Sequence, residues 1–293
     1  MKKIMLLAPF LSGLIFITFA CNKAQDHIQR MDNGLIESDK INEASGIDQS
    51  WLNDNVFWLH NDSGNEAQIF AIDERGKNLG RFKLANIKNR DWEDIAVGPG
   101  PIDGQSYIYI GEIGDNRAEY EDKYIYRVKE PVIDSTHTPY NAIIENIDII
   151  SFIYPDGPRD AETVMIDPLT KDIIIVSKRE ENVHVYSLAY PQPMDSVIIA
   201  QRITILPITQ VTGGDISNTG DKIVLKNYEK IYYWTRKSGE TLADAFSKEP
   251  QLLPYIPEPQ GEAICWDKEG KDYFTVSEEA EKTQARLYSY PFK

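Results

Sequence analysis

One short pattern recurs five times along the chain, and it limits the possible fold more than any other feature. In each copy an acidic or hydroxyl residue is followed by a small or apolar stretch that opens a group of strands. The polar residues taken as equivalent are Ser45, Glu93, Glu162, Asp215 and Glu262. Their spacings are 48, 69, 53 and 47 residues, and a period of roughly 40–50 residues is typical of a four-stranded propeller blade. The pattern therefore predicts five repeated units.

Strand-forming sequence fills the chain between these copies. The segments are rich in Ile, Val, Tyr and Phe and are bounded by Gly, Asn, Asp and Pro, as is typical of short strands. Residues 241–246 are the best helix candidate. The fifth group lacks an outer strand before Lys293, and residues 28–37 are expected to supply it. We predict an all-β, five-bladed propeller of four-stranded blades, closed by an N-terminal strand; a sixth blade would need a further motif in residues 95–160, which contains none.

The first twenty residues differ from the rest. A short basic start, Met1–Lys3, precedes the apolar run Ile4–Ala20, and Cys21 follows directly. This order resembles a bacterial lipoprotein signal, in which the cysteine becomes the lipidated first residue. The alternative is a retained membrane anchor, but a spanning helix needs about 20 apolar residues. We therefore expect a signal peptide at 1–20, a tether at 21–27, one propeller domain at 28–293, and a lipid-anchored location in the bacterial cell envelope.

The charge balance limits the possible partners. The chain has 46 acidic and 31 basic residues, which give a net charge of −15. This excess argues against binding to a nucleic-acid backbone, which requires a basic face. It also argues that the membrane is reached by the lipid anchor alone. If Cys21 carries lipid, Cys265 has no disulfide partner, and its apolar surroundings predict a buried side chain.

A second polar position follows each copy of the motif, where the next strand ends in a turn. The residues placed there are His60, Glu112, Lys178, Lys226 and Glu278. In a propeller, the start of the innermost strand and the end of the second strand lie at the same mouth of the central channel. Both sets are therefore expected to form rings around one mouth.

The ring expected from the motif residues, Ser45, Glu93, Glu162, Asp215 and Glu262, predicts a metal site. Two carboxylates about 5 Å apart repel each other by about 3 kcal/mol at an effective dielectric constant of about 20. Protonation, basic partners or a bound cation relieve that repulsion. Oxygen ligands favour Ca²⁺, with Mg²⁺ second, and disfavour zinc. In the alternative interpretation, these acids bind backbone amides of neighbouring blades and hold the ring together.

Two groups of proteins resemble this sequence. The openings at 43–45, 93–97 and 160–163 resemble those of the calcium-activated nucleotidases, which are apyrase-type propellers. That resemblance implies a channel calcium held by Glu and Ser side chains, and rim bases that hold phosphates, here Lys178, Arg179 and Lys226. Asp215 departs from it, since a hydroxyl is usual there. The strings D-W-E-D-I-A (91–96) and G-E-I-G-D-N (111–116) resemble instead a group of exported bacterial propellers that is distantly similar to phytase-like esterases.

Two functional hypotheses follow from these patterns. The first is a calcium-dependent phosphoester hydrolase, acting on a nucleotide-like substrate, in which Asp62, Asp115 or Glu278 orients or deprotonates the attacking water. His60 and Glu112 join the rim bases as expected ligand-binding residues. The second is a non-catalytic propeller that binds a small anionic ligand or a protein, with a purely structural cation.

The N-terminal interpretation gives the first testable prediction. Cys21→Ser removes the thiol that would carry lipid, so the variant should be misprocessed or released from the membrane. Fractionation and the mass of the mature N-terminus measure this result. A variant that stays membrane-bound and is cleaved normally would contradict the lipoprotein interpretation.

Overall fold

The structure is a computed structural model in which residues 28–279 and 284–292 are described. The predicted signal peptide, Cys21 and the tether lie outside the described residues. Within the described part of the chain, no helix has the length and apolar character needed to cross a membrane.

Five sheets, each with a four-stranded antiparallel unit, form the five blades of a β-propeller, as predicted. Blade 1 contains β2 (Ala44–Gln49), β3 (Val56–Asn61), β4 (Gln68–Asp73) and β5 (Asn78–Leu84). Blade 2 contains β6 (Trp92–Pro99), β7 (Ser106–Glu112), β8 (Lys123–Lys129) and β10 (Asp148–Ile153). Blade 3 contains β11 (Ala161–Ile166), β12 (Ile173–Ser177), β13 (Val183–Leu188) and β15 (Gln201–Leu206). Blade 4 contains β16 (Val211–Ile216), β17 (Lys222–Asn227), β18 (Ile231–Thr235) and β19 (Gln251–Leu253).

Blade 5 closes the ring with both ends of the chain. It contains β20 (Gly261–Trp266), β21 (Asp272–Ser277) and β22 (Arg286–Pro291), and its outer strand is β1 (Met31–Leu35). Strand β1 runs antiparallel to β22, with Met31 opposite Ser289 and Leu35 opposite Arg286. The predicted closure by an N-terminal strand is confirmed.

Two blades carry a fifth strand that the sequence did not indicate as separate. Strand β9 (Tyr140–Ile144) pairs in parallel with β5 of blade 1, and β14 (Ile198–Ile199) pairs in parallel with β10 of blade 2. Residues 131–139, which precede β9, thus form a crossover to the neighbouring blade and contain a 3₁₀ turn (Ser135–His137). The predicted helix is confirmed as α1 (Leu242–Phe246), which Thr241 caps.

The hydrophobic core is divided among the five interfaces between blades. Five clusters of buried side chains each join two neighbouring sheets. In β12, Ile173 and Ile175 face blade 2, whereas Ile174 and Val176 face blade 4. Side chains alternate between the two faces of a strand, so a strand buried on both faces is apolar throughout. Cys265 lies in the cluster between blades 5 and 1 and is fully buried, as predicted.

Carboxylates join the inner strands inside the channel. Asp215 Oδ2 accepts a hydrogen bond from the backbone N–H of Trp266 at 2.8 Å, and Asp48 Oδ2 accepts one from the N–H of Val97. Asp94 Oδ2 accepts one from the N–H of Val164 at 2.9 Å. Each bond crosses to the next blade. This is the alternative role that the sequence left open for its acids, and Asp215 adopts it.

Burial raises the pKa of all three channel aspartates. For Asp215 the value rises to about 7, although the N–H groups of Trp266 and Ile216 oppose the shift. For Asp48 the repulsion from Asp215 adds to burial, and for Asp94 burial dominates over the hydrogen bonds that it accepts. Because the folded pKa lies above the unfolded one, the folded state binds these protons more tightly.

These shifts predict that the metal-free protein loses stability as the pH rises from about 4 to about 7. Ionisation of Asp215 contributes to that loss, so Asp215→Asn should reduce it, by on the order of 1–3 kcal/mol. Urea unfolding at pH 4.5 and 7.5, in the presence of a chelator, measures the difference. The exposed Asp39→Asn is the control and should keep the pH dependence of the parent. An Asp215→Asn protein with the full pH dependence would contradict the assignment.

Candidate metal centre

Every inner strand begins with a β-bulge at the recurring motif. Where the inner strand pairs with the second strand, one residue is skipped. The skipped residues are Ser45, Glu93, Glu162, Thr212 and Glu262. A bulge leaves its extra residue outside the ladder and re-aims the side chain. The bulge thus defines the equivalent position in each blade, and four of the five predicted members occupy it.

In blade 4 the structure replaces Asp215 by Thr212. With Thr212 in place the spacings become 48, 69, 50 and 50 residues. Thr212 Oγ1 donates a hydrogen bond to the carbonyl of Glu262 at 3.0 Å, and Ser45 Oγ donates the same kind of bond to the carbonyl of Glu93 at 2.6 Å. Asp215 lies three residues further along, inside the channel. The hydroxyl that seemed to be missing from blade 4 is therefore present.

Seven carboxylates gather at this end of the channel, and we call them the mouth cluster. They are Asp62, Asp91, Glu93, Asp160, Glu162, Glu262 and Glu278. Oxygen atoms of Glu93, Asp160 and Glu162 lie within 4.8 Å of one another, and all three residues are buried. Oxygen atoms of Asp62, Asp91 and Glu93 form a second group with the same spacing. Glu93 belongs to both groups and is therefore the centre of the cluster.

Sequence reasoning missed Asp91 and Asp160. Each stands two residues before a bulge glutamate, in Asp91-Trp92-Glu93 and Asp160-Ala161-Glu162. The repeated D-x-E spacing was the available signal.

Burial and mutual repulsion raise the pKa values of the mouth cluster. Burial comes first for Glu93, followed by the charges of Glu162 and Asp62, and its pKa lies well above the ordinary value. Burial raises the pKa of Glu162 to about 8 even though Lys178 opposes the shift. Burial and the charge of Glu262 raise the pKa of Glu278 to about 7. The cluster thus gathers more negative charge than its protein surroundings neutralise.

Lys178 is the cation most deeply embedded in the cluster. Its side chain is 7% exposed, and its Nζ donates to Glu162 Oε1 and, at 3.1 Å, to the hydroxyl of Tyr228. The Tyr228 hydroxyl donates in turn to Glu262 Oε1 at 3.0 Å. Glu162 Oε2 has no hydrogen-bond partner among the described residues. One oxygen of Glu162 is therefore engaged by Lys178, and the other is a buried acceptor without a donor.

The second predicted ring is not a single ring. Pairing with the inner strand places His60 opposite Gly46 and Lys226 opposite Gly213, which are equivalent positions. Glu112 lies one position further along its strand, opposite Trp92. Lys178 and Glu278 each follow the last residue of a second strand, two positions beyond that of Lys226. The five residues therefore do not share one register position, and the ladder register that separates them was not visible in the sequence.

Two predicted ligand-binding residues lie inside the protein. His60 is fully buried, with Nδ1 2.9 Å from the carbonyl oxygen of Asn61, and burial lowers its pKa to about 4. Lys226 is also fully buried, and its Nζ donates to the carbonyl of Gly261. Burial lowers the pKa of Lys226 to about 8. Neither side chain presents a group at the protein surface.

Glu112 and Gly114 position the beginning of β6. Glu112 accepts hydrogen bonds from the N–H of Asp91 at 2.8 Å and from Trp92 Nε1 at 3.2 Å. A Cβ added to Gly114 would lie 2.1 Å from Glu93 Oε1 and 2.6 Å from a carboxylate oxygen of Asp91. Glycine at position 114 leaves the space that these two carboxylates occupy, and Glu112 acts as a positioning residue.

Asp115 is also a positioning residue. Its N–H donates to Asp160 Oδ1 at 2.7 Å. Its carboxylate accepts from the N–H groups of Glu119 and Tyr120, both at 2.8 Å, and from Lys123 Nζ at 3.0 Å. Burial opposes a low pKa, but these donors outweigh it and hold the pKa below the usual value. Asp115 is therefore a poor base, unlike Asp62 and Glu278, whose pKa values are raised.

Arg179 borders a shallow cavity of about 280 Å³ beside the cluster. Its Nε lies 2.5 Å from Asp160 Oδ2, and its Nη2 donates to Asn116 Oδ1. The Arg179 side chain is 45% exposed, in contrast to Lys178. Arg159 and Glu180 form the opposite side of the cavity and pair with each other. Arg179 is thus the predicted rim base that meets solvent.

Comparison with known proteins gives a distant similarity. No protein-family model and no curated protein matches the chain. The PQQ-bound aldose sugar dehydrogenase of Streptomyces coelicolor is 10% identical over 90% of this chain and 98% of that chain, with a TM-score of 0.47. A chain of the nidogen–laminin complex is 11% identical over 81% and 73%, with a TM-score of 0.45. A chain of the mitotic checkpoint complex is 12% identical over 84% and 63%, with a TM-score of 0.39. At these values the similarity transfers no ligand or activity to this chain.

Proposed function

We propose that the protein binds one divalent cation of the Ca²⁺ type at the channel mouth and uses it to bind and hydrolyse a phosphate ester. The observation that carries this proposal is the group formed by Glu93, Asp160 and Glu162. These three buried residues place oxygen atoms within 4.8 Å of one another, and no described residue donates a hydrogen bond to Glu162 Oε2. A buried carboxylate oxygen without a partner is costly, and a cation removes that cost.

The chemistry of the donor set favours calcium. The group contains carboxylates only, with Asp62 and Asp91 as further oxygen donors around Glu93. Hard oxygen ligands suit Ca²⁺ and, with stricter geometry, Mg²⁺, whereas zinc prefers nitrogen and sulfur. When bound, the ion supplies a positive centre for ligand oxygens and lowers the pKa of a bound water.

Arg179 supports an anionic ligand. Its partly exposed guanidinium lies between Asp160 of the cluster and the adjoining cavity. A guanidinium offers paired donors that match phosphate oxygens. A phosphate bound at the channel mouth would accept hydrogen bonds from the Arg179 guanidinium. Lys178 and Lys226, the other predicted phosphate ligands, are engaged inside the protein.

Glu278 supports hydrolysis. It is partly buried near Glu262 and Asp62, and its pKa of about 7 suits a general base at neutral pH. Glu278 accepts a proton from the attacking water, and the water oxygen bonds to phosphorus while the bond from phosphorus to the ester oxygen breaks. The ester oxygen takes a proton from solvent and leaves as the alcohol, and Glu278 then releases its proton to solvent. Asp62 lies closer to Glu93 and belongs with the cation ligands.

A non-catalytic binding propeller is the second candidate. The withdrawal of Lys178 and Lys226 from solvent favours it, because the mouth then presents fewer bases than a phosphate site needs. In that case the cation holds blades 2 and 3 together through Glu93 and Glu162 without chemistry.

Calcium should raise the melting temperature of the metal-free protein. Binding to the folded state alone adds about 2.7 kcal/mol at a hundredfold excess over the dissociation constant. Glu93→Gln should remove most of this gain because it removes the charge shared by both groups. The exposed Glu121→Gln is the control and should retain it. Identical melting curves with calcium and with chelator, in protein shown to be metal-free, would refute the site.

Hydrolysis is tested on nucleotides, sugar phosphates and phytate, each with calcium and with chelator. With an identified substrate, Arg179→Ala and Glu278→Gln should each lower kcat about ten- to a hundredfold. The melting temperature of each variant shows whether it is folded. If calcium binds but no phosphate ester is turned over, the binding propeller replaces the hydrolase.

A further inference from the structure

We infer that Lys178 is a built-in competitor for the cation and sets the affinity of the mouth cluster. This inference rests on the proposed cation site. It follows from the position of the lysine ammonium group, which occupies one oxygen of Glu162 while the other oxygen belongs to the carboxylate group with Glu93 and Asp160.

The hydrogen bonds of Lys178 engage only part of the mouth cluster. Lys178 and the Tyr228 hydroxyl link Glu162 of blade 3 to Glu262 of blade 5. Blade 4 stands between these two blades, and its bulge carries the uncharged Thr212. Within the described residues, no lysine or arginine forms an ion pair with Glu93, Asp62 or Asp91, although the charge of Lys178 opposes the rise in the Asp62 pKa.

The charge of Lys178 acts on the cation in two ways. A cation that takes Glu162 as a ligand shares that carboxylate with the ammonium group and weakens their bond. The ammonium group also repels the cation, since both lie within contact distance of the same carboxylate and are shielded from water. Both effects weaken cation binding. In the empty cluster, the same ammonium charge reduces the repulsion between the carboxylates. Lys178 thus lowers the affinity of the cluster for the cation and stabilises the metal-free fold.

Arginine is a matched replacement, because it keeps the charge. Lys178→Met keeps the length and apolar stem of the side chain but removes the charge. We expect Lys178→Met to bind Ca²⁺ at least about tenfold more tightly than the parent, and Lys178→Arg to remain within about threefold of the parent. In chelator, Lys178→Met should melt at a lower temperature than the parent, and calcium should narrow that difference.

Isothermal titration with CaCl₂ alone, on metal-free protein, measures the affinities. Lys222→Met is the control for loss of a partly buried lysine, because Lys222 bonds to the carbonyl of Gly270 at the opposite end of β17. Its calcium affinity should be unchanged. A structural role for Lys178 alone would lower the melting temperature without tightening calcium binding.

The outcomes separate the two proposals. If the parent binds calcium and Lys178→Met binds it equally or more weakly, the competitor role is wrong and the cation site stands. If neither protein binds calcium, both are wrong. Should Lys178→Met fail to fold, Tyr228→Phe replaces it; this variant loosens the ammonium group from its hydroxyl anchor, and unchanged affinity there overturns the inference.

Discussion

One extra residue at the start of each inner strand determines the chemistry of this propeller. The bulge turns that residue out of the ladder, and its identity then decides what it does. In blades 1 and 4 a hydroxyl reaches the carbonyl of the following blade, as Ser45 and Thr212 do. In blades 2, 3 and 5 a glutamate points its charge at the channel mouth. Because Glu93 and Glu162 stand in adjacent blades while hydroxyl blades flank Glu262, the charge concentrates between blades 2 and 3, where the candidate cation group lies.

The architecture could be read from the sequence because it depends on repetition. Strand content, five units and closure by the N-terminal strand all follow from period and alternation, which are properties of many residues together. Individual positions depend on single-residue register, and there the sequence was ambiguous. Thr212 and Asp215 both fit a pattern of acid or hydroxyl, and only the bulge distinguishes them. His60, Glu112 and Lys178 likewise occupy three different register positions, which only the strand pairing distinguishes.

Backbone donors explain why some buried acids need no cation. Each of the three channel aspartates, Asp48, Asp94 and Asp215, accepts a hydrogen bond from a backbone N–H of the next blade. These bonds hold neighbouring blades together and offset the repulsion between the aspartates. Such N–H groups are supplied by the inner strands only along their paired length. At the mouth the strands begin and the ladder is interrupted by the bulge. Within the described part of the chain, Glu93 and Glu162 therefore accept no such bond from a neighbouring backbone, and the same type of residue becomes a candidate ligand there.

The two sequence strings D-W-E-D-I-A and G-E-I-G-D-N are neighbours in the structure. The first lies at β6, and the second lies at the end of the paired strand β7 and in the turn after it. Glu112 fixes the backbone of Asp91, and the N–H of Asp115 holds the carboxylate of Asp160. Gly114 leaves the space that Glu93 and Asp91 occupy. The second string thus supports Glu93 itself and two of the carboxylates around it, Asp91 and Asp160. Ordering these side chains before any ion arrives lowers the entropy lost on binding. A set of repelling carboxylates would otherwise spread into solvent, so this support is a further structural reason to regard the cluster as a candidate binding site.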